Sequence, residues 1–263
     1  MAGTMTHLAI GMRLLEKFEA SPELIDRGKK GLVLREGRYK LKYKFKNDFL
    51  KNDNKKASFI FGGEAPDAIM SRRGYKRSMK HHTHFRDGIE DAHFHEPENL
   101  KIFQKRLVAF TKSHRSQDKE IDEMYFGYLV HMITDELYML NIRPYFMEQV
   151  GKDGLTQFEP ETFVRFTYDV DAIDFNLVKT TGYKDVLIKY LKLVELDKID
   201  EYVGTSVKTL ISKEEMEITR EWTLRTYLEM DHGEMTPKYL SFELMDRFIE
   251  DATDEICKRL GFI

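Results

Sequence analysis

The sequence predicts an all-α fold, a multi-helix orthogonal bundle, with a small β-hairpin inserted near residues 31–46. Three observations predict it. Apolar residues recur at spacings of three and four along most of the 263-residue chain, the period of a helix with one buried face. Only six prolines and sixteen glycines are present, so regular structure should dominate. Strict two-residue alternation, the strand period, is confined to one short stretch. No internal repeat or low-complexity linker interrupts the pattern, and residues 1–263 read as one domain.

Each element has its own signal. Leu8, Met12, Leu15 and Phe18 form the apolar stripe of the first helix. In GLVLREGRYKLKYKFK, residues 31–46, Tyr39, Leu41, Tyr43 and Phe45 alternate with Lys40, Lys42, Lys44 and Lys46, and Glu36-Gly37 supplies a turn. Leu100, Phe103, Leu107 and Phe110 make a second stripe, with Pro97 as a first-turn residue. A long apolar helix is expected from about Asp118 to Leu140, ended by Pro144 near Arg143. Further helical patterns cover 160–180, 183–194, 212–229 and 236–260. Ser212 with Glu215 makes a capping box, and Thr236 precedes Pro237 as an N-cap precedes a first-turn proline.

Composition narrows the class. Hydrophobic residues make up 41% and charged residues 33%, the balance of a soluble globular protein. A net charge of −3 excludes a uniformly basic nucleic-acid binder but leaves room for a local patch. Between Arg27 and Lys56 twelve Lys/Arg stand against three Asp/Glu, and a second basic run, SRRGYKRSMKHHTHFR, covers 71–86. Such runs are either solvated surface or a positive rim that attracts phosphate; in the second reading Arg72, Arg73, Lys76 and Arg77 neutralise phosphate charge. The lysine-rich strand is compatible with lipid head groups, with single-stranded nucleic acid, or with a soluble edge kept monomeric by its charges. Cys257 is the one cysteine, which fits a reducing compartment. The opening residues lack the pattern of a signal peptide and no segment reaches the length of a membrane span, so a cytoplasmic location is expected.

The chemistry lies in polar residues set in apolar surroundings. FGYLVHMITDELYML, residues 126–140, places His131 and Asp135 one turn apart on a helix that is otherwise nearly all apolar. They are either a core pair, imidazole N–H to carboxylate, or two ligands of one cation. Gly127, one turn below, leaves room for a ligand in the second reading. His7 begins the first helix, with Gly11 one turn on. FGGEAPDAI, residues 61–69, carries Asp67 after a proline, either a helix cap or a ligand. KHHTHF, residues 80–85, holds His81, His82 and His84, a metal site or an exposed tract. His93, His95 and His114 read as loop residues and Trp222 as packing; Asp169, Asp171 and Asp174 are either extra carboxylates for a metal or, the safer reading, a solvated acidic face.

Taken together, THLAIGMRLL, FGGEAPDAI, HHTHF and FGYLVHMITDELY resemble the zinc-dependent phospholipase C and single-strand nuclease superfamily, over roughly the first 140 residues. The resemblance implies an all-helical fold and a zinc cluster held by His7, Asp67, His84, His131 and Asp135. His81 and His82 are alternatives to His84. It implies further that Asp135 bridges two metals, and that Asp67 binds metal or serves as general base toward the attacking water. The family's third zinc is held by His and Glu residues downstream of the bridging Asp, whereas here His232 is the one histidine after Asp135. One or two metals are therefore expected. The donor chemistry agrees, since five N/O ligands without a thiolate suit zinc or another borderline divalent ion.

The function expected from these residues is metal-dependent hydrolysis of a phosphodiester or phospholipid head group by metal-bound hydroxide attacking phosphorus, with Arg72, Arg73 and Arg77 on the substrate. The alternative is a non-catalytic metal- or ligand-binding protein on the same scaffold. A phosphohydrolase of the HD type ranks last, because it needs an adjacent His-Asp dipeptide and the chain has none.

Overall fold

A computed structural model of the chain describes residues 2–45, 48–200 and 209–263; Lys46, the last lysine of the alternating run, lies outside the described residues. Ten α-helices and two two-stranded sheets are present among the described residues, as an all-α fold with a hairpin insertion predicts. The helices are α1 (Thr4–Ala20), α2 (Pro22–Lys30), α3 (Asp53–Gly62), α4 (Arg77–Thr83), α5 (Pro97–Ser113), α6 (Glu123–Lys152), α7 (Pro160–Thr180), α8 (Lys184–Leu193), α9 (Lys213–Trp222) and α10 (Phe242–Leu260). The hairpin strands are β1 (Leu32–Glu36) and β2 (Tyr39–Tyr43), paired antiparallel with Leu34 opposite Leu41. The short strands β3 (Ile199–Asp200) and β4 (Thr209–Ile211) form the other sheet. No helix among the described residues is long and apolar enough to cross a membrane.

The core is organised around α6. Phe126, Tyr128, Leu129, Met132, Ile133 and Tyr138 are each at most 1% exposed, so this helix is covered on every side. It starts later than the apolar pattern suggests. Residues Arg115 to Ile121 form bridges with one another and with Lys44, and the Asp122 carboxylate then caps α6 by accepting from Met124 N–H. It also ends later, at Lys152, and Pro144 lies inside it. A proline within a helix costs about 3 kcal/mol through one lost hydrogen bond and a ring clash. Burial of Phe146 and Val150 beyond it, with Phe146 against the Phe166 and Tyr239 rings, offsets that cost.

Two glycines let α3 and α6 approach backbone to backbone. A Cβ on Gly127 would collide with the Phe59 carbonyl oxygen and lie 2.8 Å from the Gly62 Cα, while one on Gly62 would lie 3.0 Å from the Gly127 Cα. The space expected beside Gly127 for a ligand is thus filled by α3. The consequence is positional: the chain segment that leaves α3 is pressed against the helix bearing His131.

Two of the three aspartates of α7, Asp169 and Asp174, do not belong to a solvated face. Asp174 is fully buried and accepts from the Met5 and Thr6 amides and the Thr6 hydroxyl, so it anchors the first turn of α1. Asp169 is buried and accepts from the amides of Lys238, Tyr239 and Leu240. That contact holds 238–240 out of a helix, and α10 begins only at Phe242 under a Ser241 cap, not at the Thr236-Pro237 signal. The Ser212–Glu215 capping box forms as its sequence predicts, and α9 continues as a wider π-helical turn over Thr223–Glu229.

Candidate metal centre

Four separate segments deliver five side chains to one place. His7 lies in the second turn of α1, behind the Asp174 clamp. Asp67 lies on a short 3₁₀ helix, Ala65–Ser71, that follows α3 and opens with Pro66 near its first turn. His84 terminates α4, where Phe85 takes a left-handed backbone (φ 56°). A non-glycine residue is uncommon there; the Phe85 ring is held between Phe110 and Tyr128, and the Tyr128 hydroxyl donates to the Thr83 carbonyl. His131 and Asp135 project from the middle of α6.

The five residues predicted from sequence converge. His7 Nε2 is 3.4 Å from Asp135 Oδ1, whereas His84 Nε2 is 3.5 Å from Asp135 Oδ2 and 3.1 Å from Asp67 Oδ1. The Nε2 atoms of His84 and His131 are 3.2 Å apart, and the His7 and His131 rings stack at 3.7 Å and 9°. Two ligand triads result, His7–His131–Asp135 and Asp67–His84–His131, each with its donor atoms within 4.8 Å of one another. The core-pair reading of the α6 residues is not what forms. His131 Nε2 is 3.8 Å from Asp135 Oδ2, beyond a hydrogen bond, and its Nδ1 instead faces the Gly63 carbonyl at 2.6 Å.

The hydrogen-bond network fixes which nitrogens are bare. His131 Nδ1–H donates to Gly63. The Thr83 hydroxyl donates to the Lys80 carbonyl, so it accepts from His84 Nδ1–H at 3.0 Å. Both Nε2 atoms then present lone pairs to each other in a buried space, an arrangement that a cation relieves and a dry core does not. The His7 ring nitrogens, also buried, have no hydrogen-bond partner. Burial pushes the His84 and His131 pKa values down, well down for His131, so both rings are neutral at pH 7. Burial alone would raise the Asp67 carboxyl, but the Lys80 ammonium at 2.6 Å holds it well below the usual carboxylate range. Neutral imidazoles with ionised carboxylates are the protonation states that metal ligands require. These buried His and Asp groups could therefore hold a metal ion.

The centre opens on one side. Asp67, at 9% exposure, is the most accessible of the five, and it lines a cavity of about 750 Å³ together with Arg77, Lys80, Arg143, Phe163 and Trp222. His7, Glu64 and Asp67 also line a smaller recess of about 230 Å³. Of the expected phosphate-binding arginines, Arg77 faces the large cavity. Arg72 is engaged elsewhere, paired with Glu215 at 2.5 Å and donating to the Leu210 carbonyl, where it ties the 3₁₀ helix to α9. Arg73 is exposed and lines neither cavity. His81 and His82 are not brought to the centre: His81 lies 3.5 Å from Asp91, and His82 pairs with Asp87 on the surface. Trp222 is 43% exposed at the cavity and is not core packing.

Two residues at the centre escape the sequence reading. Lys80 sits inside a basic run, yet it is only 7% exposed; its position one turn before His84 is the signal that places it. Glu64 precedes Asp67 by one 3₁₀ turn and is buried, with Oε2 accepting from the Thr223 hydroxyl and Oε1 without a partner. Burial pushes its carboxyl up to about 8. Comparison with protein-family models, with curated proteins and with solved structures finds no match for this chain.

Proposed function

We propose that the protein is a metal-dependent phosphoesterase, zinc being the cation its donor set suits, acting on a phosphodiester or a phospholipid head group. The observation that supports this reading is the convergence of five N/O donors, two of them facing lone-pair nitrogens, at the end of a cavity large enough for a substrate. A bound divalent cation supplies an activated water at neutral pH and neutralises charge on the phosphoryl oxygens. Either His7, His131 and Asp135 or Asp67, His84 and His131 would hold a cation, because the one bare nitrogen of His131, Nε2, can serve only one position at a time. Asp67, kept ionised by Lys80, accepts a hydrogen bond from the attacking water and orients it. Lys80, on α4 beside Asp67, meets the phosphate oxygens from the cavity wall. The apolar surfaces of Phe163, Phe166 and Trp222 line the same space and exclude water from it.

The depth of the centre favours a second reading. His7, His84, His131 and Asp135 are each at most 5% exposed, which suits a closed structural cation as well as a catalytic one. Elemental analysis of the purified protein, followed by turnover of bis(p-nitrophenyl) phosphate with and without EDTA, separates the two. Bound metal with EDTA-sensitive turnover, both lost in His131→Ala, supports the phosphoesterase. Stoichiometric metal with no turnover of any phosphoester leaves the structural role. A protein that binds no divalent metal refutes both.

A further inference from the structure

Beside the metal centre, the large cavity is lined by a guanidinium that no carboxylate among the described residues pairs with. Asp91 accepts from Arg77 Nη2 at 2.9 Å and from Arg86 Nη1 at 2.8 Å, and His81 Nε2 is 3.5 Å away. Arg143, from α6, joins this group as a third guanidinium. Its charge feels Asp91, Arg77 and Arg86, yet among the described residues it donates no hydrogen bond and forms no ion pair. Arg77 and Arg86 thus each take one oxygen of Asp91, and Arg143 is left without an ion pair. Arg143 is half-buried and lines the cavity. Leaving an arginine partly desolvated without an acceptor is costly. An anion in the cavity would repay that cost, and a guanidinium fork matches phosphate oxygens two at a time.

The placement says what kind of anion. Arg77, Lys80 and His81 follow the i, i+3, i+4 spacing of one helical face, and all three line the cavity. Lys80 stands at Asp67 and the metal ligands, while Arg77 stands one turn away with Arg143. The Arg77 guanidinium also lies 5.6 Å from the Phe163 ring centroid on α7, so the positive wall passes directly into the apolar one.

We propose that Arg143 and Arg77 form a distal phosphate subsite, so that the preferred substrate is a phosphoester carrying a second phosphate beside the one that is cleaved. This deepens the phosphoesterase reading and rests on it for the cleaved group; the subsite itself binds phosphate without any chemistry. That separates the tests. Trp222 is the one tryptophan of the chain and lines the cavity, so its emission reports occupancy. In the full-length protein as purified, inorganic phosphate is expected to change Trp222 emission saturably. Arg143→Met is expected to raise the half-saturating phosphate concentration at least tenfold at unchanged melting temperature, and Arg143→Lys to recover part of the loss. Should Arg143→Met fold poorly, Arg77→Met is expected to show the same tenfold weakening. In turnover, the KM advantage of a thymidine 5′-(p-nitrophenyl phosphate) bearing a 3′-phosphate over the same ester without it should collapse in Arg143→Met. A phosphate titration identical in the parent and both Met variants, or no saturable response in the parent, overturns the subsite whether or not the protein proves to be a phosphoesterase. A titration that shifts in a protein without turnover upholds the subsite and refutes only the enzyme reading.

Discussion

Gly127→Ala is the sharpest probe of how the fold builds the centre. The substitution adds one methyl group, on a helix where alanine is intrinsically better than glycine by roughly 1 kcal/mol. Propensity alone therefore predicts stabilisation. The structure predicts the reverse. The new Cβ would strike the Phe59 carbonyl and lie 2.8 and 2.9 Å from Gly62 Cα and C, all backbone atoms with no rotamer to yield. Overpacking costs typically 1–3 kcal/mol, and an obstacle made of main chain belongs at the upper end. Set against the propensity gain, a net loss of about 2 kcal/mol corresponds to a fall in Tm of roughly 4–8 °C for a chain of this size. Because α3 must move away, the Gly63 carbonyl that orients His131 and the 3₁₀ helix carrying Asp67 move with it. Metal affinity should therefore drop at least tenfold, the usual consequence of losing an outer-shell partner. Thermal melts and a competitive metal titration measure the two effects. A Tm within 1–2 °C of the parent, or weakened stability at unchanged metal affinity, would refute the reasoning.

Two further perturbations test the buried charges. Arg259 Nη1 lies 2.5 Å from Glu136 and 3.4 Å from Glu36, both glutamates at most 1% exposed, so Arg259→Met should cost about 3–5 kcal/mol. A melting temperature lowered by less than about 3 °C would count against that. Glu64, with its carboxyl raised to about 8 from an ordinary 4.5, holds a proton in the native state that the unfolded chain releases. Its contribution is complete below pH 4.5 and is lost as pH rises toward 8, at up to about 1.4 kcal/mol per pH unit. Glu64→Gln cannot ionise, so its stability relative to the parent should increase from pH 5 to pH 8; parallel denaturation curves across that range would contradict the assignment.

What could be read from sequence follows from what each signal depends on. The stripes of α1 and α5, the Pro160 start of α7 and the Ser212 capping box are local patterns, and all appear where the pattern puts them. The errors arise where a distant residue decides. Pro144 fails to end α6 because aromatic packing from α7 and the chain near Tyr239 holds the next two turns. Thr236 fails to begin α10 because Asp169, seventy residues away at Tyr239–Asp169, takes the intervening amides. Four of the five candidate ligands were legible as polar side chains among apolar residues or glycines, and His84 from its histidine-rich run and the family resemblance. Lys80, Arg143 and Glu64 were not, since a lysine in a basic run and an arginine before a proline look like surface until the cavity is seen. Arg72, which shares that run, turns out to be a strut to α9.

The Asp174 clamp has a consequence for how the molecule can be divided. Every candidate ligand falls before residue 136, which invites a shortened chain that stops after α6. Yet the amides that set the pitch of the His7 helix are gripped by a carboxylate from α7. Cut there, the fragment would retain all five donors, but the first turn of the helix bearing His7 would lose the carboxylate that grips it. The later half of the chain is, in that sense, the foundation on which the earlier half's chemistry stands.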